Sequence, residues 1–426
     1  MKMKNLIFCC IATLILTNVL YAQKSNKKSI KSLKTEINFS AIDSFENLIK
    51  KDISSKMIAG GTYLLYKKGE IVATNVIGES DINTHNPLKR NSIFRMASMT
   101  KPIASLALLL LQEDGLINMN DRLDQYLPEF KDPVILDRTD TVNGVIILRT
   151  HLAKNPIFLR NLLTHTSGFP DSFYPQQRAL YEATFKDVSK HDLAHYSKEL
   201  AKLPLDFEPS ENWQYGPSIN IAARVIEKVA GMSFNDFLKK RIFEPMQMND
   251  TKFYLDSADA PRLTTLYTLN EKMEMVMIDP GTVSSKLISG PKVYYSASGG
   301  INSTLDDYLK FCVMILKNGK HENTMIAKPE TIALMKTDQT PSNLNASFGM
   351  PSGTPDEGFT FGYQIVRREG PGSPLTEKSL SWAGAYCTTF FIDQKREVIG
   401  IYLTQNDQFT QIPSWQNFYY WMMKAL

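Results

Sequence analysis

A serine and a lysine three residues apart can pass a proton between them, and this chain carries that pattern three times. Ser-x-x-Lys begins at Ser25, Ser98 and Ser289. Ser25 lies in a lysine-rich stretch, and Ser289 runs into Gly290-Pro291, a loop signal. Only Ser98 precedes a long apolar run, so we interpret Ser98 as a candidate nucleophile and Lys101 as its base.

The residues that follow Lys101 predict a buried helix. Residues 102–111 are apolar on nearly every face, proline is tolerated in a first helical turn, and Gly115 supplies a stop. Positions three apart share one helix face, and burial disfavours the charged form of an amine, so Lys101 can accept the proton of Ser98. The alternative is a serine that caps the helix, followed by a solvated lysine.

The amino terminus has the order of a secretory leader. A basic start with two lysines is followed by an apolar stretch at residues 6–20, which is short for a membrane span, and by the small residue Ala22. We therefore predict a signal peptide over residues 1–22, a flexible spacer over 23–38, and a periplasmic or secreted protein. An uncleaved anchor is the alternative. We expect no stable membrane span after the leader is removed.

Composition and charge narrow the classes of partner. The 426 residues carry a formal net charge of +4, and the one basic cluster lies in the predicted spacer. A nucleic-acid binder usually concentrates basic residues on one face, so we expect a small-molecule substrate and no nucleic acid. Beyond the leader only Cys312 and Cys387 remain, and we interpret them as buried free thiols rather than a disulfide framework.

Strand and helix patterns predict an α+β fold. Helical spacing covers residues 40–56, a hairpin turns at Lys68-Gly69, and strands return at 362–366, 388–392 and 398–403. Strands at both ends with helices between them predict an antiparallel sheet built from both chain ends, with flanking helices and a mostly helical second lobe.

The predicted lobes have bounds that follow from these patterns. The α/β sheet lobe comprises 39–115 and 286–426, and the mostly helical lobe comprises 116–285. Within the latter we predict a hairpin at Asn143-Gly144 and an amphipathic helix over 218–230. A cleft between the lobes is the expected place for Ser98.

With Ser98-Met99-Thr100-Lys101, the chain resembles the serine β-lactamase and penicillin-binding superfamily, most of all class C β-lactamases and their esterase relatives (family S12 peptidases). Four further segments carry the resemblance, in family order: Asn161 to Phe169 with its His-Thr-Ser-Gly loop, Trp213-Gln214-Tyr215-Gly216, Phe243 to Thr251, and Ser298 to Thr304. Together they cover roughly residues 40 to 405. The resemblance implies a β-lactamase/transpeptidase-like fold and catalysis through an acyl-enzyme.

The resemblance implies that Tyr215 is a second base. A phenol with a pKa near ~10 is a poor base at neutral pH unless a cation lowers that pKa. We expect Lys101 to do this, so that the two residues share one proton network with Ser98. The alternative for Tyr215 is a buried aromatic residue before a helix.

Two departures from the β-lactamase pattern bear on specificity. Pro217 stands where the family's tyrosine motif usually has an asparagine, and Trp382-Ala383-Gly384 replaces the Lys-Thr-Gly strand. A side-chain amide for the acylamino group and a lysine for the carboxylate of a penicillin are therefore both missing. These departures argue against efficient β-lactam hydrolysis and for neutral esters or amides.

The resemblance also assigns the remaining site residues. The backbone amides of Ser98 and Ala385 would form the oxyanion hole. Gly384 would let substrate lie close to the strand edge, and Trp382 would pack on an acyl or alcohol group. For Trp382 an aromatic residue on a sheet face is an equal alternative.

Other chemistries lack their signals in this sequence. His165 belongs to the family's loop and is interpreted as structural, and His191 and His195 as part of a solvated helix. No Gly-x-Ser-x-Gly elbow, His-Glu-x-x-His zinc pair, P-loop or dinucleotide fingerprint occurs, so we expect neither cofactor nor metal. The predicted function is an exported serine hydrolase acting on small esters or amides. The alternatives are a β-lactamase or D,D-peptidase, and a non-catalytic penicillin-binding-like binding or sensor module.

Overall fold

A computed structural model describes residues 36–143, 145–341, 344, 346, 356–370 and 374–426. The predicted signal peptide and most of the predicted spacer lie outside the described residues. Among the described residues, no helix combines the length and the apolar character that a membrane crossing needs.

Eight of the described strands form one large antiparallel sheet, to which both chain ends contribute. Its eight strands lie in the spatial order β12 (Asp356–Phe359), β13 (Gln364–Arg368), β14 (Leu380–Gly384), β15 (Thr388–Asp393), β16 (Val398–Leu403), β1 (Gly60–Lys67), β2 (Glu70–Asp81) and β3 (Asn86–Pro87). The two chain ends meet where β1 pairs with β16, in a register that runs from Thr62 opposite Leu403 to Lys67 opposite Val398. This arrangement confirms the predicted α+β fold.

Strand β1 is buried because helices cover both faces of the sheet. Successive side chains of a strand point to opposite faces. Tyr63 and Leu65 lie in one apolar core with the helix α1 (Phe39–Ser54), whereas Leu64 lies in the other core with α2 (Thr100–Glu113). The sheet is therefore the middle layer of the molecule, and α2 packs on the face opposite α1.

The remaining described helices follow α2 along the chain. They are α3 (Leu159–Thr164), α4 (Arg178–Thr184), α5 (Leu193–Leu200), α6 (Ser218–Ala230), α7 (Phe234–Leu238), α8 (Lys286–Ser289), α9 (Leu305–Leu316), α10 (Pro329–Met335), α11 (Pro413–Gln416) and α12 (Phe418–Lys424). The predicted helix over 218–230 is confirmed, and it ends at Gly231 with a left-handed φ of 65°. Helix α9 is capped by Thr304, whose Oγ1 accepts a hydrogen bond from the Asp307 amide.

Short two-stranded sheets complete the described strands. They pair β4 (Phe94–Arg95) with β9 (Asn302–Ser303), β5 (Val134–Val142) with β6 (Val145–Leu152), β7 (Leu266–Leu269) with β8 (Met275–Asp279), and β10 (Lys320–His321) with β11 (Thr324–Met325). The β5–β6 pair confirms the predicted hairpin, whereas β7–β8 was not predicted. Its strand β8 leaves Val276, Met277 and Ile278 exposed, so it lacks the apolar-polar alternation that marks a half-buried strand.

Two smaller outcomes concern the carboxyl-terminal half. The strand predicted from residue 362 begins at Gln364, because Gly362 adopts a φ of 109° in the preceding turn. Cys312 and Cys387 are buried and unbridged, as predicted. The lobe bounds at residues 115 and 286 stay predictions.

Candidate active site

Ser98 lies in a tight turn that precedes α2. Residues Ala97–Met99 form one 3₁₀ turn, and Ala97 has a left-handed φ of 46°, which a non-glycine residue rarely adopts. The sheet and α9 hold this turn on two sides: the Thr388 hydroxyl donates to Met96 O at 3.1 Å, and the Tyr308 hydroxyl donates to Met99 O at 2.9 Å. Such over-determined strain is typical of functional sites.

Gly384 makes room for this turn rather than for a substrate. A Cβ added at Gly384 would overlap the Met96 carbonyl oxygen and lie 3.2 Å from the Cβ of Ala97. Gly299 approaches the same turn, since its added Cβ would lie 3.4 Å from the Ala97 carbonyl carbon. The predicted close approach at Gly384 is therefore real, but backbone residues 96–97 fill the space expected for substrate.

The structure brings Ser98, Lys101 and Tyr215 together. Lys101 Nζ donates to Ser98 Oγ at 3.2 Å, and the Tyr215 hydroxyl lies 2.7 Å from the same oxygen. Lys101 Nζ also lies 4.5 Å from the centroid of the Tyr215 ring. The Ser98 hydroxyl thus has two neighbours that can exchange a proton with it. Lys101 lies in α2, whereas Tyr215 lies three residues before the start of α6.

Lys101 is almost completely buried. Only 3% of its surface is exposed, and its second hydrogen bond runs to the carbonyl oxygen of Ser298 at 2.7 Å. Burial lowers the pKa of Lys101 to about 7, and the Asp171 carboxylate acts in the opposite direction. A substantial fraction of Lys101 is therefore neutral near pH 7 and able to accept a proton.

The pKa of Tyr215 is shifted in the direction opposite to the one expected. Burial, as the largest cause, raises its pKa, and the nearby Asp171 carboxylate raises it further. The hydrogen bonds of Ser98 and of the Trp382 indole act in the opposite direction but are outweighed. The expectation of a lowered pKa for Tyr215 is therefore wrong, because the cost of burying a phenolate outweighs the contacts that would lower this pKa.

His165 supports the loop that carries Tyr215. It is buried, its ring centroid lies 4.7 Å from that of Tyr215, and its Nδ1 lies 3.4 Å from the Gly216 amide nitrogen. Burial and the nearby Lys101 keep the pKa of His165 well below its usual value. A neutral histidine packed on Tyr215 agrees with the structural interpretation.

Trp382 lies in the core beside Tyr215. Only 1% of its surface is exposed, and its ring centroid lies 5.3 Å from Tyr215 and 5.2 Å from Phe359. It does not line the cavity above Ser98. The predicted packing of Trp382 on substrate is therefore unsupported, and its position fits the alternative of a sheet-face aromatic residue.

Ser98 opens into a cavity of about 340 Å³. Its lining comprises Ala97, Ser98, Lys101, Asp171, Phe173, Tyr181, Tyr215, Gly216, Pro217, Asn220, Tyr294, Ser296, Ser298, Gly299, Gly300, Ala385 and Tyr386. Within the described part of this wall, Lys101 is the one cationic side chain and Asp171 the one carboxylate. Ser98 and Ala385 share the cavity, and their role as oxyanion donors stays a prediction.

Asn220 was missed by sequence reasoning. Its Nδ2 donates to the Tyr294 hydroxyl at 3.0 Å, and its Oδ1 accepts from the Ser298 amide at 2.9 Å. A polar residue on the buried face of amphipathic α6 was the available signal. An amide thus reaches the cavity one turn after Pro217, but its oxygen and its nitrogen both have protein partners.

The described residues offer no metal centre. No group of three or more histidine, cysteine, aspartate or glutamate side chains gathers among them in a way that could hold an ion. The His191 and His195 rings are exposed and stack with centroids 4.0 Å apart near the start of α5, whose other face is buried.

Comparison with known proteins decides the family. The family model described as Beta-lactamase matches residues 45–413, most of the chain. The protein belongs to the β-lactamase family. It is an enzyme, a serine hydrolase of the β-lactamase-related type.

Similar proteins match most of the length of this chain. Protein Rv1367c of Mycobacterium tuberculosis is 29% identical over 86% of this chain and 90% of its own length. Lovastatin esterase of Penicillium rubens is 28% identical over 78% of this chain and 85% of its own length. Among solved structures, EstCE1, a hydrolase with promiscuous acyltransferase activity, has a TM-score of 0.74 and 23% identity, covering 91% of this chain and 98% of that one. This last likeness concerns the fold.

Proposed function

We propose that the protein hydrolyses small esters or amides through an acyl-enzyme on Ser98. One observation carries the proposal: the Ser98 hydroxyl lies within hydrogen-bond distance of both Lys101 and Tyr215. A nucleophile with an adjacent base is the arrangement that covalent acyl transfer requires. The similarity to lovastatin esterase supports an ester as the bond that is cleaved.

Acylation begins with Lys101 in its neutral form. As Ser98 Oγ attacks the substrate carbonyl carbon, its proton passes to Lys101 Nζ and the carbonyl π electrons move to oxygen. The backbone N–H groups of Ser98 and Ala385 are the proposed donors to this oxyanion, a contribution typically worth ~3 to 4 kcal/mol for one donor. The Ser298 carbonyl keeps the resulting ammonium hydrogen-bonded.

Tyr215 then acts as a proton donor rather than as a phenolate base. Because burial keeps its phenol protonated, Tyr215 donates to the leaving alkoxide or amide nitrogen as the C–O or C–N bond breaks. Lys101, whose Nζ shares the Ser98 oxygen with the Tyr215 hydroxyl, then returns its proton to the phenol oxygen. In deacylation, water attacks the acyl carbon, the same pair accepts the water proton, and Ser98 leaves with a proton restored to Oγ.

The proposed substrates are neutral at the position where a penicillin carries its carboxylate. Among the described residues, no arginine lines the cavity wall. The nearby Arg95 forms an ion pair with Asp279 and donates to the Thr264 carbonyl at 2.6 Å. Asn220 has partners for both of its amide atoms. These contacts weigh against the β-lactamase or D,D-peptidase alternative, and the proton-exchanging pair around Ser98 weighs against a non-catalytic sensor.

Export is part of the proposal. The basic start, apolar stretch and small residue within residues 1–22 support a cleavable leader and a periplasmic or secreted enzyme. Amino-terminal sequencing of the protein purified from its native host tests this: a mature start at Gln23 is expected, and retention of the apolar stretch would contradict it.

The substrate preference is tested by kcat/KM for p-nitrophenyl butyrate and for nitrocefin on one preparation, with Ser98→Ala as the blank. We expect the ester to be favoured by about a hundredfold or more, because a charge contact to an anionic substrate is missing. Faster turnover of nitrocefin would overturn the ester proposal in favour of a β-lactamase.

A further inference from the structure

We propose that Asp171 makes this site selective for esters and amides that carry a positively charged ammonium group. The inference rests on the proposed function, because it names the substrate class of the same Ser98 site. Asp171 lies in the loop between α3 and α4, six residues after His165, and no motif singled it out.

Asp171 is a buried carboxylate on the cavity wall. Its surface is 7% exposed, and the next two residues donate to Oδ1: the Ser172 hydroxyl at 3.2 Å and the Phe173 amide at 3.0 Å. No ion pair to this carboxylate forms among the described residues. A buried carboxylate without an ion pair on a cavity wall is costly unless a positive partner enters that cavity.

Among the described residues, no cationic side chain forms an ion pair with Asp171. Lys101 is the one cation on the described wall, but it makes no direct ion pair with Asp171 and is held by Ser98 and by the Ser298 carbonyl. With its pKa lowered to about 7, Lys101 is partly neutral. Burial raises the pKa of Asp171, and the nearby Lys101 acts in the opposite direction without outweighing it.

Aromatic rings complete the wall around this carboxylate. Phe173, Tyr181 and Tyr294 line the cavity with Asp171, and burial together with this carboxylate raises the pKa of Tyr181. The Tyr181 hydroxyl is engaged with that of Tyr196 at 2.9 Å, and the Tyr294 hydroxyl accepts from Asn220. Because both hydroxyl groups already have partners within the protein, Tyr181 and Tyr294 would contact a ligand through their rings.

A carboxylate beside aromatic rings matches the chemistry of an alkylammonium group. The negative ring faces attract such a cation, which costs less to desolvate than a compact ion, and the carboxylate supplies its counter-charge. The same wall disfavours an anionic substrate, in agreement with the missing lysine at position 382. We therefore assign selection for the cation to Asp171 and bond cleavage to Ser98, Lys101 and Tyr215.

Isosteric substrate pairs test the assignment. The first pair, butyrylcholine and 3,3-dimethylbutyl butyrate, differs by one positive charge on the alcohol side. The second pair, the p-nitrophenyl esters of 4-(trimethylammonio)butanoate and 5,5-dimethylhexanoate, differs by the same charge on the acyl side. The ratio of kcat/KM within each pair is measured for the wild type, for Asp171→Asn and for Glu211→Gln, which removes an exposed carboxylate close to Tyr215 in sequence.

We expect the charged-to-neutral ratio to fall by about tenfold or more in Asp171→Asn for at least one pair, and to stay unchanged in Glu211→Gln. The pair that responds identifies the side of the substrate that carries the cation. Any effect of Asp171→Asn on Lys101 is common to both members of a pair and cancels in the ratio. Unchanged ratios in both pairs would overturn the assignment.

Two controls keep the outcomes separate. If neutral esters are cleaved in a Ser98-dependent way while the ratios stay unchanged, the cation assignment fails and the proposed function stands. If Asp171→Asn does not fold, the wild-type enzyme is tested by competition: choline is expected to inhibit p-nitrophenyl butyrate hydrolysis about tenfold more strongly than 3,3-dimethylbutan-1-ol. Equal inhibition by the two alcohols would overturn the assignment.

Discussion

The Asn220 side chain holds the Ser298 backbone, which in turn holds Lys101. Asn220 Oδ1 accepts from the Ser298 amide at 2.9 Å, and the Ser298 carbonyl oxygen accepts from Lys101 Nζ at 2.7 Å. The position of Lys101 beside Ser98 therefore depends on a residue that touches neither. Asn220 is accordingly a positioning residue for the proposed reaction.

Replacing Asn220 should lower turnover through Lys101. Asn220→Ala leaves the Ser298 amide without its partner, and we expect kcat for p-nitrophenyl butyrate to fall by about tenfold to a hundredfold, with a smaller change in KM. Asn220→Asp keeps an acceptor but adds a negative charge, so it should raise the pKa of Lys101 and move the acid limb of the pH profile upward. Identical pH profiles for all three proteins would contradict this role.

The pH dependence of acylation should report on Lys101. A base must be neutral to accept the Ser98 proton, and burial lowers the pKa of Lys101 to about 7. We therefore expect kcat/KM for a neutral ester to rise with pH through about 7 and to reach a plateau above it. An acid limb near the ordinary pKa of lysine would contradict the lowered pKa of Lys101, and a flat profile between about pH 5 and 9 would mean that Lys101 is not the base.

Lys101 and Tyr215 should act as a unit. Lys101→Ala and Tyr215→Phe should each slow acylation by about a hundredfold or more, and the double variant should lose much less than the product of the two losses. Single-turnover measurements give the three rates. The exposed pair Lys131→Ala and Tyr420→Phe serves as the control for removing an amine and a phenolic hydroxyl. Fully multiplicative losses would show that the two residues do not share one proton network.

Gly384 should be needed for the geometry of Ser98. In Gly384→Ala the added methyl group would overlap the Met96 carbonyl oxygen, so the turn that carries Ser98 must shift. A displacement of about 1 Å in a reacting group typically costs about a hundredfold, and we expect that loss mainly in kcat. Thermal unfolding, measured alongside, separates this effect from loss of folding. A folded variant with unchanged kcat would contradict the close contact.

Local patterns explain how much of this structure the sequence predicts. The Ser-x-x-Lys pattern before an apolar run predicts that Lys101 is buried. Strand patterns at both chain ends predict one sheet, in which β1 pairs with β16. Tyr215 was reached through the family's motif rather than through any local property. Its raised pKa was not foreseen, because burial is a property of the packed site and not of neighbours in sequence.

Long-range contacts explain what the sequence did not predict. Asn220 lies 78 residues before the Ser298 amide that it holds, and no spacing rule connects the two positions. The resemblance assigns Trp382 and Gly384 to substrate because they stand where the family has its Lys-Thr-Gly strand. Whether a strand residue faces a ligand, a core or a neighbouring turn depends on what packs against that strand, and here Met96, Ala97 and Tyr215 do so.

Covalent labelling tests the central claim most directly. A fluorophosphonate probe should modify the wild-type protein at one site, and digestion with peptide mapping should locate the label on Ser98. Ser98→Ala should take up no label and should lose at least about a thousandfold in p-nitrophenyl butyrate turnover while keeping its thermal unfolding temperature. A label on any other residue, or near-normal turnover by folded Ser98→Ala, would contradict the assignment of Ser98 as the nucleophile.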